Sequence, residues 1–249
     1  MKVLVLGGTG VIGGPLCRLL AEQGHQVTAL HGGRRAVPPG CVGFVGMDAG
    51  EETLNRLASL GKFDAVIDLL CFTPRDAKIL LEVFAKRTDQ IIICSSVAAY
   101  ERPYEHQPVQ PDNPLMKENI FPYGFQKAEM ERYVRGWMKE GYPVTILRPS
   151  QTWWIGTPNI GVLRSNYGVI RRILRGKPLI VNGDGKNSWV WTFSPDLAKA
   201  FAGMLGNERC LGECYHATSD ETHIWDDLYL TLGRICGNAN ITGHGKLQA

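Results

Sequence analysis

A glycine-rich turn near the start of the chain, set between an apolar run and a helical pattern, constrains the fold most. Residues 2–6 read Lys-Val-Leu-Val-Leu, a short apolar run that predicts a buried strand. The turn Gly-Gly-Thr-Gly-Val-Ile-Gly follows directly at residues 7–13, and leucines then recur at helical spacing over residues 16–20. A strand that passes through such a turn into a helix is typical of folds in which parallel strands alternate with helices.

The same order predicts a dinucleotide site at the turn. Gly7 would allow the tight bend, Gly10 would let the backbone approach a pyrophosphate, and Gly13 would let the helix pack closely on the strand. The first turn of the helix adds backbone N–H groups and the positive end of its dipole. We therefore predict that this turn holds the phosphates of a dinucleotide cofactor, with further contacts from Thr9, Val11 and Ile12.

Strand and helix patterns alternate along the rest of the chain, which predicts a parallel sheet covered by helices on both faces. The fold class is therefore α/β, a Rossmann-type doubly wound parallel sheet. The further predicted strands are 26–30, 42–45, 65–69, 90–94, 144–147 and 179–181. The further predicted helices are 51–60, 74–86, 123–140, 164–176, 195–206 and 224–236. Two long segments, 101–122 and 151–165, break the alternation and are predicted to be loops at the ligand-binding edge of the sheet.

Tyr123 and Lys127 lie four residues apart within a predicted helix, so their side chains share one face. An ammonium beside a phenol favours the phenolate and lowers the pKa of the tyrosine from its reference of about 10. Such a tyrosine can exchange a proton with a substrate oxygen near neutral pH. The pair therefore predicts an acid–base group, and the glycine turn upstream gives that prediction its weight.

These motifs together resemble the extended short-chain dehydrogenase/reductase superfamily, and within it the NAD-dependent epimerase/dehydratase branch. The resemblance rests on the Gly-x-x-Gly-x-x-Gly turn, on the pair Ser95-Ser96 at a strand end and on the Tyr-x-x-x-Lys spacing. It extends over about residues 1–236. It implies an NAD(P)-binding Rossmann domain over residues 1–161 and a small, shortened substrate-binding region over 162–249, interleaved with the last strand of the main sheet.

The resemblance also implies a role for each motif residue. Ser96 would hold the substrate oxygen, with Ser95 as the second choice and as a cofactor contact. Tyr123 would be the general acid–base, and Lys127 would tune it and bind the nicotinamide ribose. Asp48 resembles the acid that contacts adenine, although an ordinary turn aspartate fits the sequence as well. Further expected cofactor contacts follow the fourth and sixth strands, at Leu69, Leu70, Cys71, Arg148 and Ser150.

The end of the second strand bears on which nicotinamide cofactor is bound. Members of the family that prefer NAD carry an acid there, which binds the ribose hydroxyls. This chain has His31, two glycines, Arg34 and Arg35, so no carboxylate would repel a 2′-phosphate and two guanidiniums would bind it. We therefore predict NADP(H), contacted by these three side chains. NAD(H) is the alternative if both arginines are simply solvated.

The tryptophans bear on the substrate. Many sugar-nucleotide enzymes of the family carry an arginine for the substrate diphosphate shortly after a Gly-Asp-Gly landmark, and that place falls on Trp189. Tryptophan cannot pair with a diphosphate but can stack on a ring. We predict Trp153 and Trp189 as substrate contacts in an aromatic pocket with Trp154 and Trp191; ordinary core tryptophans are the alternative.

Three functions stay open at this point. The first is an oxidoreductase that moves hydride at a carbinol or carbonyl carbon of a natural-product or sugar-like intermediate. The second is a sugar-nucleotide epimerase that keeps NAD bound and recycles the hydride, which the missing arginine disfavours. Dehydration is disfavoured because Val97-Ala98-Ala99 follows Ser96 where dehydratases place an acid pair. The third is a cofactor-sensing or RNA-associated binding protein, which would usually lose the tyrosine or the lysine.

Composition narrows the partners and the location. The net charge of +3 over 249 residues is too small to predict binding to nucleic acid or to an anionic membrane. No apolar run approaches the roughly 20 residues of a membrane span, and no signal peptide is expected before the first strand. Cys210, Cys214 and His216 fit no common zinc spacing, so we expect no metal site. We expect a cytoplasmic protein with a small-molecule substrate, and the resemblance implies a homodimer.

Overall fold

The structure, a computed structural model, describes residues 1–155, 167–181 and 183–238, and the backbone of 244–246. Its helices are α1 (Gly13–Glu22), α2 (Glu51–Ala58), α3 (Pro74–Phe84), α4 (Pro122–Lys139), α5 (Gly168–Leu174), α6 (Ser194–Met204) and α7 (Trp225–Ile235). Its strands are β1 (Lys2–Leu6), β2 (Gln26–His31), β3 (Cys41–Val45), β4 (Ala65–Asp68), β5 (Gln90–Cys94), β6 (Val144–Pro149), β7 (Gln151–Trp153), β8 (Leu179–Val181), β9 (Ser188–Trp189), β10 (Trp191–Phe193), β11 (Cys214–Ala217), β12 (His223–Ile224) and β13 (His244–Lys246).

A seven-stranded sheet in the order β11-β6-β5-β4-β1-β2-β3 organises the first of two compact units, residues 1–150 and 194–217. All of its neighbouring strands run parallel. The chain moves outward from β1 to β3 and then returns to place β4 beside β1. The strand order therefore reverses between β1 and β4, which is the point where ligands bind in open α/β sheets.

Alternating apolar residues give the sheet two buried faces. In β1, Leu4 and Leu6 pack into the core that α2, α3 and α4 cover, whereas Val3 and Val5 pack into the core under α1 and α6. All four side chains are 0% exposed. Because successive side chains of a strand point to opposite faces, a strand buried on both sides must be apolar throughout. This explains why the sequence shows continuous apolar runs rather than alternation.

Glycine is required where α1 meets β1. A Cβ added to Gly13 would lie 2.1 Å from the carbonyl oxygen of Gly7, well inside contact distance. Gly7 itself has a φ of 86°, in the left-handed region that favours glycine. The helix thus starts directly against the turn that ends the strand, as the spacing of the glycines predicts.

The second compact unit comprises residues 151–193 and 218–249. Three two-stranded pairings, β7 with β10, β9 with β12 and β8 with β13, accompany α5 and α7. Its core is built from Val169, Ile173, Leu179, Val181, Trp225 and Tyr229, with Trp189 and Trp191 partly buried against them. The predicted boundary between residues 161 and 162 lies outside the described residues.

The α/β class and the doubly wound parallel sheet are confirmed, and the strand predicted at 90–94 matches β5 at both ends. The loop predicted over 151–165 is wrong at residues 151–153, because these residues form β7 and pair with β10. Residues 156–165 of that segment lie outside the described residues. Within the helix predicted over 164–176, the structure shows α5 at Gly168–Leu174. Residues 164–166 of that prediction lie outside the described residues. No pattern of the sequence located β11, which closes one edge of the sheet beside β6.

Replacing Gly13 with alanine should destabilise the protein by about 1–3 kcal/mol, because the new methyl group forces α1 away from β1. Gly14→Ala is the matched control one residue later, where an added Cβ meets nothing within 4 Å. That change should leave stability unaltered or raise it by about 0.5–1 kcal/mol. Urea unfolding of both variants is the measurement, and equal effects would contradict the close approach.

Candidate functional site

The glycine turn and the segment after β4 lie side by side at the point where the strand order reverses. A Cβ on Gly7 would lie 3.1 Å from Leu70 Cδ2 and 3.5 Å from Leu69 Cβ. The structure therefore brings Leu69 and Leu70, both predicted cofactor contacts, against the predicted phosphate-binding turn. Cys71 follows them and is fully buried.

The glycine turn presents backbone donors at the start of α1. The N–H groups of Gly7 and Gly8 both donate to the carbonyl of Leu30, at 3.1 and 2.9 Å, which ties the turn to β2. Within the described part of the chain, the N–H groups of Val11 and Ile12 have no such acceptor. Unpaired N–H groups at a helix start are a ready anion site.

Space in front of this turn suits a dinucleotide. A Cβ on Gly10 would meet one atom within 4 Å, the carbonyl oxygen of Gly7 at 3.2 Å. The backbone of Gly10 is therefore open to close approach by a ligand. Together with the free donors at the start of α1, this makes the residues present fit the diphosphate of a nicotinamide dinucleotide.

One of the two predicted arginines contacts the same turn. Arg35 Nη1 donates to the carbonyl oxygen of Thr9 at 3.4 Å, and both Arg34 and Arg35 are exposed. His31 Nδ1 accepts the N–H of Gly33 at 3.2 Å, which shapes the bend that carries them. The positive charge thus reaches the glycine turn from the end of β2.

Asp48 takes part in a local turn before α2. Its Oδ1 accepts the N–H of Gly50 at 3.1 Å, and the side chain is exposed. This geometry is that of an ordinary turn aspartate, the alternative that the sequence left open. The contact of Asp48 with adenine stays a prediction.

Lys127 is buried at the ends of two strands. Its Nζ donates to the carbonyl oxygens of Cys71 and Cys94, each at 2.7 Å, and the residue is 1% exposed. The ring of Phe72 lies over the ammonium, with its centroid 4.6 Å from Nζ. The ammonium therefore bridges the segment after β4 and the end of β5.

Tyr123 and Ser96 each lie within two residues of a close contact between α4 and the turn after β5. A Cβ on Gly124 would lie 2.2 Å from the carbonyl oxygen of Ala98, so α4 rests directly on the short 3₁₀ helix Val97–Ala99. Ser96 caps that 3₁₀ helix by accepting the N–H of Ala98 at 3.1 Å. Tyr123 precedes Gly124 and is 42% exposed, so its phenol is open to a ligand.

Ser95 differs from its neighbour. It is 2% exposed, and its hydroxyl has no hydrogen-bond partner among the described residues. Its backbone N–H donates to the carbonyl of Leu147 at 2.8 Å and continues the sheet. The half-buried Ser96 is therefore the more accessible of the two hydroxyls for a substrate.

Arg148 is the centre of a buried network that no motif in the sequence indicated. Its Nε and Nη2 donate to the two carboxylate oxygens of Glu131, at 2.8 and 2.5 Å. Its Nη1 donates to the hydroxyl of Tyr100 at 2.6 Å and to the carbonyl of Pro111 at 2.9 Å. The guanidinium is thus engaged within the protein, and its expected contact with the nicotinamide stays a prediction. Ser150 follows one residue after the end of β6 and is half-buried.

The network continues from Tyr100 to His216, whose Nε2 lies 2.5 Å from the tyrosine oxygen. Burial raises the pKa of Tyr100 to about 12 and, with Arg148 nearby, lowers the pKa of His216 below its usual value. Near neutral pH the phenol is therefore protonated and the imidazole neutral. The phenol accepts from Arg148 and donates its proton to Nε2.

Asp68, which ends β4, is a second residue of the site that no predicted motif contained. Its carboxylate accepts the N–H of Leu70 at 2.6 Å, and the residue is 1% exposed. Burial raises the pKa of Asp68 to about 6, against the lowering effects of that hydrogen bond and of Lys127. A lone carboxylate at the end of the apolar run Ala-Val-Ile was the signal in the sequence.

In the second unit the tryptophans divide into exposed and packed side chains. Trp153 is 45% exposed, with its ring centroid 4.6 Å from that of Phe193. Trp189 is half-buried, donates from Nε1 to Gln151 Oε1 at 3.0 Å and packs on Trp225. Trp191 also packs on Trp225, and Trp154 lies against Phe193. Trp153 is therefore the member of the set that presents its ring most openly.

The described residues contain neither a candidate membrane span nor a candidate metal site. Across residues 1–155, 167–181 and 183–238, no helix is long and apolar enough to cross a bilayer. The same ranges contain no group of three or more histidine, cysteine or acidic side chains arranged to bind a metal ion.

One family profile and several known proteins match most of this chain in sequence. The sequence profile of the NAD dependent epimerase/dehydratase family matches residues 3–213. The 2′-dehydrokanamycin reductase of Streptomyces kanamyceticus is 31% identical over 234 residues, which are 92% of this chain and 65% of that protein. The chloroplast stem-loop binding protein of 41 kDa b of Arabidopsis thaliana is 25% identical, over 91% of this chain and 61% of that protein. This chain therefore spans less than two thirds of the length of these relatives.

A solved structure shows the same fold. The UDP-glucose 4-epimerase of Thermus thermophilus, in complex with NAD, superposes with a TM-score of 0.78 and 22% identity. The match covers 96% of this chain and 84% of that structure.

Neutralising Glu131 should destabilise the protein by about 3–5 kcal/mol, because Glu131→Gln leaves the buried guanidinium of Arg148 without its counter-charge. The control is Glu129→Gln, which removes the ion pair of an exposed glutamate with Arg132 on the same helix. That loss should be about 1 kcal/mol or less. Denaturant unfolding of both variants at neutral pH is the measurement, and similar losses would refute the buried pair.

Proposed function

Because the chain belongs to the NAD-dependent epimerase/dehydratase family, we propose that it is an oxidoreductase that reduces a carbonyl group of a sugar-like natural product. The observation that carries this proposal is the arrangement on α4. The exposed phenol of Tyr123 precedes the contact with the turn of Ser96, and Lys127 is held one helical turn later.

Each residue has a distinct part in this reaction. A nicotinamide dinucleotide held at the glycine turn would supply hydride chemistry for the carbonyl carbon. Ser96 donates a hydrogen bond to the carbonyl oxygen, and Tyr123 transfers its proton to that oxygen as negative charge develops there. The ammonium of Lys127 favours the phenolate that remains on Tyr123. In the reverse direction the same phenolate would accept the proton of an alcohol.

The relatives and the exposed tryptophan support the substrate class. The 31%-identical relative is named as a 2′-dehydrokanamycin reductase. Trp153 presents an open aromatic face, which suits stacking on a sugar ring. A tryptophan at position 189, where many sugar-nucleotide enzymes of the family have arginine, disfavours a diphosphate substrate. We therefore infer an amino-sugar or related glycoside, rather than a sugar nucleotide, as the substrate.

We also infer a preference for NADP(H). Arg34 and Arg35 are exposed after the end of β2, and Arg35 already contacts the carbonyl of Thr9 in the glycine turn. A 2′-phosphate carries charge and acceptor oxygens that guanidinium groups bind well. The family is described as NAD-dependent. A preference of this chain for NADP(H) would therefore come from these two side chains rather than from the family as a whole.

Two other functions are open to a chain of this family. Epimerisation would recycle the hydride within one cycle and leave the cofactor unchanged. A binding role is suggested by the name of the stem-loop binding relative. The retention of Tyr123, Lys127 and Ser96 together favours turnover over binding alone.

Tyr123→Phe should lower turnover by about 100- to 10,000-fold, because the proton donor is lost. The measurement is consumption of NADPH with 2′-dehydrokanamycin as the first keto substrate, followed by a panel of keto-glycosides. NADPH binding, followed by tryptophan fluorescence, should be retained. The control is Tyr133→Phe, a half-buried tyrosine of the same helix, which should keep full activity.

The same assay separates the three functions. A reductase consumes one NADPH for each alcohol formed, whereas an epimerase interconverts its substrates without net consumption. Unchanged turnover in Tyr123→Phe would refute the acid–base role. A protein that binds NADPH and an RNA stem-loop but converts none of the substrates would favour the binding role.

Changing Arg34 and Arg35 together to glutamine should weaken NADPH binding by roughly tenfold or more, because the 2′-phosphate loses two cationic partners. NADH binding should change by less than about twofold. Arg18→Gln on the exposed face of α1 is the control and should affect neither cofactor. Titration calorimetry gives both affinities, and an equal loss for NADPH and NADH would refute the phosphate contact.

The homodimer rests on the resemblance and the cytoplasmic location on composition, and both stay predictions. We infer that α4 and its neighbour α3 would form the interface between two copies, as is usual in the superfamily. The mass of the protein in solution tests the first of these inferences.

A further inference from the structure

Asp68 is a buried carboxylate at the cofactor edge of the sheet that the proposed reaction does not use. We propose that Asp68 is a positioning residue for Lys127: its carboxylate fixes the turn whose carbonyl receives the lysine, and its negative charge balances the buried ammonium. This inference rests on the proposed function where it concerns catalysis, and on the structure alone where it concerns the placement of Lys127.

Hydrogen bonds connect the two residues through the segment after β4. The carboxylate of Asp68 accepts the N–H of Leu70 at 2.6 Å, and the neighbouring backbone of Cys71 also lowers the pKa of that carboxyl. The carbonyl of the same Cys71 accepts from Lys127 Nζ at 2.7 Å. The carboxylate therefore holds the peptide units that place one of the two acceptors of the lysine.

Charge connects the two residues as well. The groups that act electrostatically on Asp68 among the described residues are Lys127 on α4, which favours its ionised form, and Asp76 on α3, which opposes it. Asp76 is engaged elsewhere, because its Oδ2 accepts the N–H groups of Phe72 and Thr73 at 3.0 and 2.9 Å. The thiols of Cys71 and Cys94 also face this region, and burial raises the pKa of Cys94 to about 11, so they stay neutral. Asp68 is thus the buried carboxylate that faces the lysine.

The contacts of Asp76 also help to bury the ammonium of Lys127. Asp76 holds the backbone of Phe72, and this keeps the ring of Phe72 over Lys127 Nζ. The lysine is therefore enclosed by two carbonyls, one ring face and one counter-charge. Such an enclosure sets where the ammonium lies before any cofactor arrives.

Keeping a carboxylate here has a cost in stability. The pKa of Asp68 is raised from 3.8 to about 6 by burial, so its contribution favours folding most below pH 4 and is lost as pH rises through 6. At neutral pH the ionised group is therefore unfavourable for folding. Perturbed carboxylates that persist at such a cost are typical of functional sites.

A double-mutant cycle on the cofactor-free protein tests the placement. The variants are Asp68→Asn, Lys127→Met and the double variant, with unfolding constants measured in denaturant at pH 8. If the two residues act as one unit, the effect of Lys127→Met on the unfolding constant should differ by about 5- to 100-fold between the two backgrounds. Where Lys127→Met does not fold, Lys127→Gln takes its place because it can still donate to one carbonyl.

The matched control repeats the cycle with Asp64→Asn. Asp64 also accepts a backbone N–H, that of Lys2 at 2.6 Å, but it precedes β4 and so lies at the opposite end of the strand. Its cycle with Lys127→Met should be additive within about twofold. Additivity in both cycles would overturn the proposal.

Activity then tests the positioning role in the reaction. With NADPH and 2′-dehydrokanamycin, Asp68→Asn should lower kcat by about tenfold or more and change KM by less than about threefold. We expect kcat of the wild type to fall as pH drops through about 6, and Asp68→Asn should remove that dependence. Asp64→Asn should leave both kcat and its pH profile unchanged. Coupling in the cycle without a change in kcat or its pH profile would overturn the role in catalysis. A wild type without turnover would count against the proposed function alone, because the cycle still decides where Lys127 is held.

Discussion

The ammonium of Lys127, held between the carbonyl oxygens of Cys71 and Cys94, joins the parts of the structure on which the site depends. Those carbonyls lie after β4 and at the end of β5, whereas the lysine belongs to α4. A buried ammonium must keep its hydrogen bonds, so helix and sheet cannot separate without leaving a charge unpaired. The position of α4, and of the tyrosine one turn before, follows from this constraint.

A second buried charge lies one turn further along the same helix. Glu131 binds Arg148 of β6 through both carboxylate oxygens, and the guanidinium also reaches Tyr100 beyond β5. Buried ion pairs contribute little net stability, because desolvation offsets the attraction. What they provide is a single register, since a shift of α4 along the sheet would break both charged contacts. The helix that carries Tyr123 is therefore fixed at two points, once by a lysine and once by a glutamate.

The cofactor edge shows a different balance between rigid and open groups. The glycine turn is tied to β2 by two N–H groups on one carbonyl, while the donors at the start of α1 stay open to a ligand. The phenol of Tyr123 and the two guanidiniums are exposed in the same way. Groups that hold the site are thus buried, whereas groups that would touch cofactor or substrate are accessible. This division is typical of a preorganised site, in which supporting residues are fixed before a ligand binds.

Local chemistry in the sequence determined the fold class and which residues are the candidates for the site. The spacing of glycines 7, 10 and 13 predicts the turn, because Gly7 adopts a positive φ and only glycine at position 13 permits the close approach of helix and strand. The four-residue spacing of Tyr123 and Lys127 places both on one helical face. Only the tertiary structure decided that β11 closes the sheet and that Arg148, predicted to face the cofactor, is enclosed by Glu131 and Tyr100. It also decided that Asp68 faces Lys127. These contacts join residues of different elements that are far apart along the chain, and no periodicity within one element specifies which buried charges will meet.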